Sequence, residues 1–119
     1  MKRDWELIRK ILFKLEDATE ARPRLTSDSG SLPPYDNEQV AYHFMLLHQA
    51  GLIDGKSFST MTSFRYTAFS LTWQGHEFLD SIKEDNNWNK IKSTIREKGM
   101  DLSFEVIKAA AASLATKLL

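Results

Sequence analysis

The stretch from Tyr35 to Asp54 constrains this chain more than any other part of it. Asp36 stands just before an apolar period, where its carboxylate can accept from the free amides of a first helical turn. Val40, Phe44 and Leu47 then recur at helical spacing with Ala41 and Ala50 beside them, so one face is core. Gly51 suits the left-handed position that ends a helix. Leu52-Ile53 enters a strand directly. The pattern predicts a capped helix over residues 37–50 that passes through a glycine stop into β structure.

A second ordered stretch lies further on. Residues 64–71 are rich in aromatic and β-favouring types with partial alternation, which predicts a strand. Thr72 can cap a helix over residues 73–85 that turns Phe78, Leu79 and Ile82 to the core. Gly75, near its start, permits close approach by another backbone. Between the two strands, Gly55 to Ser63 is small and hydroxylated, as a flexible wing would be. His76 is expected to be partly buried in a hydrogen bond that fixes this wing to the helix.

The flanks complete the pattern. Trp5, Ile8, Leu12 and Leu15, widened by Ile11 and Ala18, predict a helix from Asp4 to about residue 21. Residues 22–35 hold Pro23, Gly30, Pro33, Pro34 and a polar run from Thr26 to Ser31, which is loop chemistry. A helix-turn-helix places a short helix directly before its recognition helix. No such periodicity occurs here, so either one irregular turn or a loop stands in its place. Further on, Asn86 or Asn87 caps a helix from Trp88 to Lys98 with Ile91 and Ile95 in its stripe, and Gly99 stops it. Asp101 or Ser103 starts the last helix, which carries Val106, Ile107, Ala110, Leu114 and Leu118. The expected class is α+β, mainly α: winged helix-turn-helix-like, with a two-stranded β-ribbon and a C-terminal helical extension. Residues 1–85 form the winged-helix-like core, and 86–119 are helices packed on it in a single domain overall. The expected core residues are Ile8, Leu12, Leu15, Val40, Phe44, Leu47, Leu52, Leu71 and Phe78.

Charge limits the function. The chain has 16 basic and 16 acidic side chains, so no global field draws it to nucleic acid or anionic lipid. It has no cysteine, hence no disulfide, no thiolate nucleophile and no cysteine zinc site. The charged start lacks a signal-peptide apolar run, and no stretch approaches the roughly 20 apolar residues of a membrane span. A cytoplasmic protein is expected, with no membrane partner.

Catalytic constellations are not visible. His43 and His48 are five apart on one helix and point about 140° apart, whereas a helical zinc pair needs a spacing of about four. No carboxylate pair is spaced to join His76, no glycine loop cradles phosphate, and no serine stands in a nucleophile elbow. No catalytic, cofactor or metal residue is assigned, and no enzyme is expected.

The candidate contact residues for DNA or a partner are Gln39, Tyr42, His43, Leu46 and Gln49 on the outer face of the 37–50 helix, with Lys56 and Arg65 on the ribbon. Glutamine can pair with adenine in the major groove, and tyrosine and histidine can reach phosphates. Residues 36–54 contain no Lys or Arg, although phosphate contacts usually supply most DNA affinity. Lys2, Arg3, Arg22 and Arg24 add charge only if the fold brings them near. A neutral or acidic surround would favour a protein partner.

Several segments together resemble a known family. They are Met1-Lys2-Arg3-Asp4 with Leu7-Ile8-Arg9-Lys10-Ile11-Leu12, and Val40-Ala41-Tyr42-His43 with Leu46-Leu47 and Ala50-Gly51-Leu52-Ile53. Leu71-Thr72-Trp73-Gln74-Gly75-His76-Glu77-Phe78-Leu79-Asp80, Trp88-Asn89-Lys90 and Lys98-Gly99 complete the set. This combination resembles domain of unknown function 2513, an uncharacterised bacterial and prophage family. The resemblance implies a winged-helix-like fold and a bacterial or prophage source, and it carries no site residues. The expected function is that of a winged-helix-like protein: a DNA-binding transcription regulator with duplex DNA as partner. The alternative is a non-enzymatic protein–protein interaction module serving phage or host. A homodimer through the last helix would bury Leu114 and Leu118 against a copy.

Overall fold

A computed structural model describes residues 1–118, with side chains described through Thr116. The elements are α1 (Trp5–Asp17), β1 (Leu25–Thr26), α2 (Asn37–Gln49), β2 (Ile53–Ser57), β3 (Tyr66–Leu71), α3 (Trp73–Ile82), α4 (Asp85–Glu97) and α5 (Phe104–Leu118). The class is α+β, mainly α. The chain divides into two compact units, Met1–His76 and Glu77–Leu119, and the division falls within α3.

In the first unit, α1 starts where Asp4 Oδ1 accepts from the Glu6 and Leu7 amides. It ends at Asp17, short of the expected residue 21, because Ala18 is already extended. The α2 helix starts at Asp36, whose Oδ1 accepts from the Gln39 amide at 2.8 Å. It ends at Gly51, whose φ of 76° is the left-handed conformation that glycine adopts without strain. Both helices pack on the sheet and against each other. Ile8, Ile11, Leu12, Phe44, Leu47, Leu52 and Ile53 are buried between these layers.

The sheet corrects one expectation. It has three antiparallel strands in the order β1-β3-β2, not two. The added strand is Leu25–Thr26, paired with Ala68 and Thr67. The pairing continues past it through Ser27, whose amide donates to the Tyr66 carbonyl while its Oγ accepts from the Tyr66 amide. The loop at 27–36 otherwise holds no helix, so no helix directly precedes α2. Along β2 the register slips between Asp54 and Gly55. Such a bulge bends and twists its strand.

Thr72 closes this unit. Its Oγ1 donates to the Gly51 carbonyl at 2.5 Å and accepts from the Gly75 amide at 3.1 Å, so one hydroxyl ties the end of α2 to the start of α3. A β-carbon at Gly75 would stand 1.9 Å from the Leu52 carbonyl oxygen, so only glycine fits there.

In the second unit, Phe78, Leu79, Ile82, Trp88, Ile91, Ile95 and Ile107 are buried, and α4 packs on α5. Ser103 caps α5, accepting from the Val106 amide at 3.3 Å, and Gly99 ends α4 with a φ of 68°. Asn86 and Asn87 are not caps. The helix already begins at Asp85, and both sit in its first turn. Leu114 is half-buried, and Leu118, expected to join it against a second copy, lies outside the described side chains.

Candidate interaction site

The α2 helix has two unlike faces. Val40, Phe44 and Leu47 point into the core. Gln39, Tyr42 and Leu46 are half-buried and Gln49 is exposed, which places these four expected residues along one outer stripe. Met45 is half-buried between the faces. Glu38 is exposed at the start of the helix, and no Lys or Arg lies on it.

His43 does not belong to this stripe, which corrects the sequence reading. It is 0% exposed, and both ring nitrogens bond to backbone. Its position is legible in the spacing: residue 43 lies three after Val40 and four before Leu47, on the inward face. Burial pushes its pKa down, against the opposing pull of the Gln39 carbonyl and of Asp4. His76 is likewise corrected, because it is exposed. The tie between helix and wing is made by His48 instead, whose Nδ1 lies 2.5 Å from the Tyr66 hydroxyl. Burial pushes the Tyr66 phenol up.

The wing is ordered by its own hydroxyls. Ser59 Oγ accepts from the Arg65 amide at 2.8 Å and donates to the Arg65 carbonyl at 3.0 Å. The Phe58 amide donates to the same carbonyl, and the Thr60 amide to that of Ser63. Ser57 Oγ donates to Ser59 Oγ at 3.0 Å. The hydroxyls of Ser57 and Ser59 are thus engaged within the loop.

Two of the cations are engaged as well. Arg65 donates through Nε to Asp28 Oδ2 at 2.7 Å, pairs with the same oxygen through Nη2, and lies 4.3 Å above the Phe58 ring. Arg22 pairs with Asp54 Oδ2 at 2.7 Å and lies 4.2 Å above the Phe69 ring. Arg3 stacks on Trp5. Lys2, Arg24 and Lys56 are exposed. No local pattern marks Asp28 and Asp54 as partners, because each pairing is long-range, spanning 37 and 32 residues.

Between the start of α2 and the wing lies a hollow of about 510 Å³ lined by Asp28, Asn37, Glu38, Thr62, Ser63, Phe64 and Arg65. It holds two carboxylates against one guanidinium. At the wing tip Met61 is fully exposed, and Trp73, the residue after Thr72, is 77% exposed. The face therefore combines a polar, slightly acidic hollow and a half-buried Tyr-Leu stripe, with Met61 exposed at the wing tip. Among the described residues no group of three or more His, Asp or Glu is placed to share a metal ion, and no helix is long and apolar enough to cross a membrane.

The fold is that of a mainly helical α+β chain. The profile of the family described as "Hypothetical protein (DUF2513)" matches residues 2–101, and the chain belongs to that family. It is 46% identical over all 119 residues to an "Uncharacterized protein" of Haemophilus influenzae, covering 99% of that protein. No solved structure matches the chain.

Proposed function

We propose that this chain is a non-enzymatic binding module with a winged-helix-like layout, and that the outer stripe of α2 and the adjoining wing dock a protein. One observation carries the choice of ligand class: the wing arginine that would meet phosphate is held by Asp28, beside an α2 that has no Lys or Arg. Opening that pair to admit a phosphate would leave a carboxylate facing the backbone of a duplex, where like charge costs binding. Tyr42 and Leu46 are better suited to a protein surface, where aromatic and apolar anchors dominate affinity.

Affinity capture from bacterial extract tests this reading. Wild type and Lys90→Ala, changed on the exposed face of α4, should retain the same protein, and Leu46→Asp should lose it. Retention of nucleic acid with no accompanying protein would overturn it.

A second reading, transcription regulation, is favoured by the order of elements. A helix that ends in a glycine and leads into an antiparallel hairpin, in a sheet ordered β1-β3-β2, is compatible with a winged-helix DNA-binding layout. The exposed Lys56 would then be its principal wing contact.

A further inference from the structure

His43 is fully buried, yet both of its ring nitrogens are used. Nδ1 stands 2.8 Å from the Gln39 carbonyl, one turn back on α2. A carbonyl oxygen only accepts, so Nδ1 carries the hydrogen. Nε2 is therefore a bare acceptor, and it takes the backbone N–H of Asp4 at 2.8 Å. That amide belongs to the residue that caps α1. Asp4 Oδ1 accepts from the Glu6 and Leu7 amides at 2.9 and 3.1 Å, and the Asp4 carbonyl accepts from the Ile8 amide at 3.0 Å. One neutral imidazole thus joins the first turn of α1 to the middle of α2, across 39 residues of sequence.

We propose that His43 is an acid-sensitive latch: protonation at Nε2 releases the segment Met1–Glu6 and uncaps α1, while α2 and the sheet stay folded. An imidazolium has two donors and no acceptor, so its Nε2–H would confront the Asp4 N–H. The groups around the ring decide where that new hydrogen can go. From the α1 side the charge that acts on it is the Asp4 carboxylate. From the loop before α2, the Tyr35 phenol interacts with that same carboxylate, and Glu6 acts on Tyr35 from beyond it. The Tyr42 ring meets the imidazole edge-on. With donors on both sides, the Asp4 backbone must move off the ring, and its Oδ1 moves with it away from the Glu6 and Leu7 amides. Charging the ring therefore costs α1 its cap.

The change is local because the bonds given up involve residues 4–8, whereas the bond from Nδ1 to Gln39 is kept in both states. Burial holds the folded-state pKa below the ordinary 6.5. The released ring binds the proton better than the latched one. The latch is therefore complete above the ordinary value and is lost as pH falls below it. The segment that leaves carries Lys2 and Arg3 with it.

Amide exchange and imidazole ¹⁵N shifts on the full-length labelled protein test the proposal. Near neutral pH the ring should show the Nδ1–H tautomer. As pH falls from about 7.5 to about 5, protection of the Asp4, Glu6 and Leu7 amides should drop by up to about tenfold per pH unit beyond the intrinsic change. The amides of Phe44, Leu47 and Ala68 should stay protected. In His43→Gln, whose side-chain carbonyl can accept from Asp4 without titrating, the pH dependence should vanish. An Nε2–H tautomer in the neutral protein would overturn the latch. So would unchanged Asp4 protection through the range. Simultaneous loss across α1, α2 and β3 would also overturn it, by making His43 a core residue whose charging unfolds the unit. Should His43→Gln not fold, the wild-type tautomer and titration decide alone.

Discussion

Two glycines in the first unit do different jobs, and their substitutions separate them. At Gly51 the backbone is left-handed but the space is open, since nothing lies within 4 Å of a built β-carbon. Gly51→Ala should cost about 1–2 kcal/mol, the ordinary penalty for a left-handed residue. At Gly75 the conformation is helical and the obstacle is the Leu52 carbonyl, 1.9 Å away. Gly75→Ala must move backbone, so it should cost about 3 kcal/mol or more. Urea unfolding of both variants checks the order. A Gly75→Ala protein as stable as Gly51→Ala would refute the close approach. Leu47→Ala, at a buried and well-surrounded position, should cost about 2–5 kcal/mol.

At the scale of elements, the wing is held by a small set of exposed bonds. The Arg65 and Asp28 side chains are 36% and 34% exposed, so their pair is worth at most about 1 kcal/mol. Asp28→Ala should leave global stability nearly unchanged and still speed exchange of the Phe58 and Thr60 amides, because the loop loses its anchor to residues 27–28. Adding Arg65→Ala should bring little further change, as expected for two halves of one interaction. Strict additivity in exchange rates would show that the pair does not order the wing. Legibility divides in the same way between local and long-range causes. Asp4, Asp36, Thr72 and Ser103 are readable as caps because a cap and the amides it serves lie within three residues of each other. The strand Leu25–Thr26 is not, because two residues in a proline-flanked loop become a strand only by pairing with Thr67 and Ala68. The start of α4 misleads because two asparagines are strong cap formers, but the helix begins at Asp85, with the Trp88 amide already donating to the Glu84 carbonyl at 2.9 Å. At the candidate site the outer stripe of α2 is legible from its period. The long-range partners of Arg65 and Arg22 are not.

Across the whole molecule, 16 positive and 16 negative side chains cancel, so affinity for a polyanion depends on local unpaired charge. The α2–wing face commits its arginine to Asp28, and the nearby Arg22 is held by Asp54. It also presents Glu38 at the rim of a hollow with more carboxylate than guanidinium. In the proposed reading, this arrangement separates a protein-docking face from a phosphate-reading one on the same scaffold. The most direct measurement is an anisotropy titration of random-sequence duplex DNA with wild-type protein at about 50 mM salt, where phosphate contacts are strongest. A protein-docking face predicts no saturable binding tighter than roughly 10⁻⁴ M, the weak end of non-specific association. Micromolar or tighter binding, with a salt slope that falls by about one in Arg65→Ala, would contradict it and establish the wing as a phosphate contact.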